Sequence, residues 1–203
     1  MKRRKSSNRI PWFRAVCAGV GLMAVLTGVL KLAGRVARAD VHPLSGHEAP
    51  AEVPPMQAPP VRTLDGLATL SAAQLEGLYR QGVSAPMPAG RVRGLALYPD
   101  SRFPRAKAKA SRVAWQGKIF DPATSTATNR FFGANVIKGN VYAGQSWLDG
   151  NPALILDYQG TSKVYGNYRD EIRQVAPGVY LGLMHDRTTN PPAFKMYFAF
   201  SDL

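Results

Sequence analysis

The chain has 203 residues, 26 Lys and Arg against 13 Asp and Glu, one Cys, and an apolar content of 45%. Those values allow one ordinary domain with extensions, and exclude a wholly disordered chain and an intrachain disulfide framework. The net charge of +13 is concentrated in residues 1–39, which hold nine basic side chains and no acid, so residues 40–203 carry only +4, too little for a nucleic-acid protein's overall composition.

Residues 1–14 are basic, and Ala15 to Leu30 is a 16-residue uncharged run, too short and too solitary for a polytopic membrane protein. Ala37-Arg38-Ala39 follows, a small-residue pattern that would release Asp40. That order predicts a secretory signal peptide, its basic end held in the cytoplasm while the apolar run inserts. The run is long for a signal, and Lys31, Arg35 and Arg38 lie beyond it, so a retained anchor over residues 15–30 is the alternative. Either way the expected location is the periplasm or the outer face of the inner membrane. Cys17 lacks a lipobox, and Arg3-Arg4 lacks the apolar residues of a twin-arginine signal.

Residues 40–69 read as a linker, with six prolines between Val41 and Arg62. Such a segment favours extended polyproline conformations and suits a tether. His42, His47 and Glu48 lie in it with no third ligand nearby, so no metal and no cofactor are expected. Residues 70–89 hold one helix, Ser71 to Gln81. Ser71 and Gln74 form a capping box, Leu70 and Leu75 a hydrophobic staple, and Leu75, Leu78 and Tyr79 share a face. Pro86 and Pro88 then close the segment.

From residue 90 the apolar period is two. Strands are predicted over 91–98, 112–121, 130–138, 140–148, 153–158, 168–175, 179–185 and 193–201, separated by turn signals such as Lys138-Gly139-Asn140 and Asp149-Gly150-Asn151-Pro152. The last segment alternates most clearly, placing Phe194, Met196, Phe198 and Phe200 on one face. No room is left for crossover helices, which excludes a parallel sheet. The expected fold is all-β: an antiparallel up-and-down barrel of about eight strands, lipocalin-like, its interior either packed or holding one small ligand.

Gly90-Arg-Val-Arg-Gly94 after a short capped helix, then Trp115-Gln-Gly-Lys118-Ile-Phe120, resembles the small bacterial GXWXG-type proteins, with Val92 where that family has Trp. The aromatic-rich hairpins that follow resemble lipocalin-like barrels more broadly. The resemblance covers residues 70–203 and implies a small barrel that takes an apolar ligand.

Candidate chemistry is sparse. No P-loop, dinucleotide fingerprint or metalloprotease motif occurs, and Gly144-Gln-Ser146-Trp-Leu lacks the closing Gly of a nucleophile elbow. His185, at a strand end beside a loop, is the one candidate general base. Tyr168-Arg169-Asp170-Glu171-Ile172-Arg173 is the most charged strand. A solvated strand face with cross-strand ion pairs is the plain expectation; otherwise Asp170 facing inward needs a partner such as an Arg from another strand, or in the other parity Arg169, Glu171 and Arg173 face inward and could hold an anionic headgroup. Trp115, Trp147, Tyr158, Tyr180, Phe131 and Phe132 line either a pocket or a plain core. The candidate ligand-binding set is therefore Trp115, Trp147, Tyr158, Tyr168, Asp170, Arg173 and Tyr180. Arg102, Arg105, Lys107, Lys109 and Arg112 form a basic loop with few aromatics, suited to anionic lipid headgroups or simply to solvent.

The leading expectation is an exported, non-enzymatic protein that binds a small apolar or amphipathic ligand inside its barrel. Two alternatives stand beside it. One is a hydrolase or isomerase using His185, Asp170 or Tyr168 in the same cavity. The other is a packed barrel serving as an interaction module, marked by a filled interior and an exposed apolar patch.

Overall fold

The computed structural model describes residues 63–202. The leader, the 15–30 run, Cys17, His42 and His47 lie outside the described residues. Eight antiparallel strands form a closed barrel in which each strand pairs with the next and the last returns to the first. They are β1 (Gly90–Leu97), β2 (Trp115–Asp121), β3 (Thr126–Phe131), β4 (Ala134–Gln145), β5 (Pro152–Asp157), β6 (Tyr168–Ala176), β7 (Val179–Asp186) and β8 (Ala193–Asp202). Closure removes every edge at which another chain could pair.

Among the described residues three helices accompany the barrel: α1 (Leu64–Leu67), α2 (Ala72–Gln81) and α3 (Pro104–Ser111). The capping box of α2 forms as its sequence predicts, Ser71 and Gln74 each bonding the other's backbone N–H. The folded part begins before residue 70, because Leu64 and Leu67 of α1 are already buried. With Leu70, Leu75, Tyr79 and Ala108, they cover Leu95, Leu97, Leu181, Leu183, Tyr197 and Ala199 on the outer wall. Strands β1, β7 and β8 are thus apolar on both faces, one toward the lumen and one beneath the helices.

Four boundaries differ from expectation. The basic stretch expected to be a loop is helical from Pro104, which occupies a first-turn position where its missing N–H costs nothing, and is followed by helix-favouring alanines. Strand β2 accordingly starts at Trp115, not at 112. The turn expected at Lys138-Gly139-Asn140 is strand: β4 runs through it, with a register shift that leaves Ile137 unpaired. Gly139 serves packing there, since a Cβ would sit 2.7 Å from a Leu156 methyl. The real hairpin turn is Phe132-Gly133. Finally, Phe194 does not share a face with Phe198 and Phe200. Its partner His185 follows a register shift after Met184↔Met196, which flips Phe194 to the outside.

Parity in the lumen is fixed by contacts between strands that are not neighbours. Lys118 of β2 reaches Asp170 of β6, and Phe120 of β2 packs on Phe200 of β8 at 5.4 Å between centroids. The two glycine motifs meet at one crossing. A Cβ on Gly117 would lie 2.3 Å from the Val92 carbonyl oxygen, and one on Gly94 would strike the Trp115 ring at 2.7 Å. The bare backbones let β1 and β2 touch while Trp115 folds across them. Gly182 gives the Phe198 ring the same clearance, for a Cβ there would be 2.1 Å from Cζ. Gly182→Ala is therefore expected to cost about 1–3 kcal/mol by overpacking. Urea denaturation checks this, as a lowered midpoint at unchanged slope.

Candidate functional site

The charged strand β6 organises two clusters, one on each face of the barrel wall. Inside, Lys118 donates to Asn129 Oδ1 at 2.9 Å, Tyr158 Oη at 3.0 Å and Asp170 Oδ2 at 2.9 Å. Three acceptors match the three N–H donors of an ammonium. The Tyr158 hydroxyl donates to Asp170 at 2.7 Å and accepts from Asn129 Nδ2 at 2.9 Å. The second Nδ2 hydrogen goes to the Ile137 carbonyl, the residue left free by the β4 bulge, and Oδ1 also accepts from Trp115 Nε1 at 3.0 Å. The ammonium lies 5.0 Å from the Phe198 centroid and 5.4 Å from that of Trp115, close enough for cation–π attraction. Burial pushes Lys118 below the ordinary lysine value, and the Asp170 carboxylate opposes the shift. Burial also pushes the Tyr158 phenol well up, with Asp170 adding to it, so it stays protonated and donates.

Aromatic rings occupy the space on both sides of this network. Tyr180 stacks on Phe200 at 4.9 Å, and Phe200 contacts Phe120 and Phe198. At the other end Tyr165 packs edge-on against Tyr158 and Tyr168, and also meets Phe131.

Outside, the alternate residues of β6 hold down the β4–β5 connection. Glu171, wholly buried, accepts from Ser146 Oγ at 2.5 Å and from the Trp147 N–H at 2.8 Å, and pairs with Arg169 at 3.1 Å. Arg169 also donates to the Gln145 carbonyl. Arg173 forks onto Asp149 at 2.7 and 2.8 Å and donates to the carbonyls of Asn151, Pro152 and Tyr79. It thereby ties the loop and the end of α2 to one strand. Trp147, 42% exposed, lies against the Arg169 guanidinium at 4.1 Å, with the His185 ring edge-on at 5.7 Å. Arg169 Nε, His185 Nδ1 and Arg187 Nε are buried here without a hydrogen-bond partner among the described residues.

The residues expected to line one site are divided between the two faces. Trp115, Tyr158, Tyr168, Asp170 and Tyr180 are on the lumen side; Trp147, Arg173 and His185 are outside, so they share no cavity. The parity of β6 that turns Asp170 inward is the one observed, and its partner is Lys118 rather than an Arg. Phe131 is buried at the lumen's end, whereas Phe132 is 52% exposed in the turn. Sequence reasoning missed Lys118, Asn129, Ser146 and Asp149 as members of these clusters; it did group Glu171 with Arg169 and Arg173, though facing the lumen rather than the outer wall. Two of the missed residues carry a signal: Lys118 shares its strand face with Phe120, and Asn129 shares its face with Ala127 and Phe131, polar residues at core parity.

His185 and Ser146 do not form a nucleophile–base pair. The Ser146 hydroxyl donates to Glu171, and His185 Nδ1 is 3.7 Å from the same carboxylate, so Glu171 stands between them where a triad needs the imidazole. Burial lowers the His185 value, which keeps the ring neutral at pH 7. Among the described residues no His, Cys, Asp and Glu side chains cluster as metal ligands would, and no helix is long and apolar enough to cross a membrane.

No family model matches the chain, and no curated protein does. A solved structure, of a protein from Thermomonospora curvata, is similar at 19% identity and a TM-score of 0.44, covering 66% of this chain and 89% of that one.

Two outcomes are expected of these clusters. Asp170→Asn strands a buried ammonium and should cost about 3–5 kcal/mol, whereas joint replacement of Lys118 and Asp170 by apolar residues should cost less than the two single changes summed. A double-mutant cycle in urea reads the difference. Hydrogen bonds from Arg173 hold the Asp149 carboxyl at about 2, against an ordinary 3.8. A lowered folded-state value stabilises above the unfolded value and is lost as pH falls through the folded one. Asp149→Asn should therefore lose at least about 2 kcal/mol at neutral pH. Its deficit relative to wild type should shrink as pH drops from about 4 to about 2, measured by stability against pH.

Proposed function

We propose that this chain is an exported, non-enzymatic interaction module whose barrel is a solid scaffold and whose working surface is the outside. The observation that carries this reading is the Lys118–Asp170 bridge across the lumen. With Asn129 and Tyr158 it uses its donors internally, and aromatic rings pack above and below it. A guest in the lumen would have to break a buried ion pair and strand its members in a low-dielectric interior. The outer surface, by contrast, presents a groove of about 470 Å³ lined by Leu78, Val83, Val175 and Pro177 together with Gln81 and Gln174. Large apolar side chains are also exposed there: Phe103, Val113, Phe132 and Phe194.

Export rests on the leader's charge order and its Ala37-Arg38-Ala39 site. Kinship with the GXWXG-type proteins rests on the sequence resemblance alone, with Val92 where that family has Trp; Gly94 and Gly117 have a packing reason to be glycine where they cross beneath Trp115.

Carriage of a lipid-like guest in a lipocalin-like lumen is the second reading. The stacked Tyr180 and Phe200 rings favour it, since they offer an apolar lining if they part. Native mass spectrometry of the protein purified from its own envelope separates the two. The module reading predicts the bare polypeptide mass and no extractable small molecule. A stoichiometric lipid that survives purification and is lost in Tyr180→Ala would overturn it in favour of the carrier.

A further inference from the structure

We infer that α3 and the tip of the β3–β4 hairpin form a docking rim for an anionic lipid bilayer. The inference rests on the outer-surface reading and names the partner. Helix α3, PRAKAKAS, buries Ala108 and Ser111 against the barrel and turns Arg105 and Lys109 outward. Its ends are flanked by bare apolar side chains: Phe103, 64% exposed, and Val113, 72% exposed. The eight-residue helix between them is itself about 12 Å long. Phe132 joins this edge, because its N–H donates to the Ala114 carbonyl at 3.0 Å.

The hairpin tip is unusual in its own right. Phe132 has φ +50°, a backbone conformation that bulky residues rarely adopt and that two-residue hairpins normally give to Asn, Asp or Gly. Strain at a solvent-exposed aromatic contributes nothing to the core, and marks a position where exposure itself is useful.

Charge points to the same partner. Among the described residues no carboxylate lies within 4.0 Å of Arg102, Arg105, Lys107 or Lys109; Arg112 alone of this stretch is paired, with Asp65 at 3.0 Å. Lys107 lies over the Tyr98 ring and Arg102 over Phe103, cations beside aromatic faces. Unpaired cations alternating with apolar tips along one edge fit the polar-to-apolar gradient of a headgroup layer. There Phe and Val reach the acyl boundary and the long basic stems keep their charges among phosphates. Nucleic acid would ask instead for a groove and stacking platforms, and these tips are spread along a helix edge. Each basic side chain close to an anionic surface multiplies binding about fivefold, so three contribute roughly a hundredfold.

The test is hydrogen exchange of the full chain assembled with nanodiscs, of phosphatidylcholine alone or with phosphatidylglycerol added. A local readout is required because the basic N-terminus also responds to anionic lipid. Amides of 103–114 and 131–134 should exchange severalfold more slowly on the phosphatidylglycerol discs. R102E/R105E/K109E should abolish that difference. Phe132→Asn, which relieves the backbone and so keeps the fold, should reduce it while β7 amides exchange as before. Equal exchange on the two discs, or protection that survives the charge reversal, overturns the proposal. If equal exchange at the rim comes with slowed amides elsewhere on the outer wall, the rim is wrong and the outer-surface reading stands. A lipid retained in the lumen defeats that reading itself.

Discussion

The structure depends on a strand whose charges are buried on both sides. Arg169, Asp170, Glu171 and Arg173 of β6 are each no more than 6% exposed. Four adjacent or near-adjacent ionised groups are tolerated out of water only if each is paired and hydrogen-bonded. The period of two makes this feasible by sending them in opposite directions. Asp170 goes inward to Lys118, while Arg169, Glu171 and Arg173 go outward to the β4–β5 connection and the end of α2. One strand thereby fixes the contents of the lumen and the position of a loop and a helix.

That arrangement separates specificity from stability. Aromatic and aliphatic packing supplies the driving force, in the lumen and again beneath α1 and α2. The ion pairs contribute less net energy, since desolvation offsets much of their attraction. They forbid alternatives instead: a slip of β6 by one residue would put Asp170 outside and three charges in the lumen. The same groups are thereby committed to structure. Glu171 holds the Ser146 hydroxyl and the Trp147 backbone, so Ser146 is bonded to a carboxylate and not to His185.

Much of this architecture was legible in the residues, and for physical reasons. Most strand positions followed from alternation, and the α2 boundary from Ser71 and Gln74, because both signals are local; the strand expected over 130–138 instead contains the β3–β4 turn, and β3 lies mostly ahead of it. Closure was legible too, since consecutive short strands with brief turns leave few other solutions. What escaped was set by neighbours distant in sequence. Gly139 reads as a turn residue until Leu156 and Tyr158 are known to lie over it. The flip of Phe194 depends on a bulge that alternation does not announce. The charged run gave no parity by itself, because either choice buries charges; only Lys118, 52 residues away, decides it. The aromatic candidates were chosen by type, so they divided between lumen and outer wall once parity was fixed.

The most direct test of a closed, ion-paired lumen is the exchange of the Lys118 ammonium protons, read by nitrogen-15 NMR of the side chain. Three retained bonds, to Asn129, Tyr158 and Asp170, predict a slowly exchanging ammonium signal that shows contacts to the Phe198 and Trp115 rings. An ammonium that exchanges with water as fast as the surface lysines do, and shows no such ring contacts, would contradict the account.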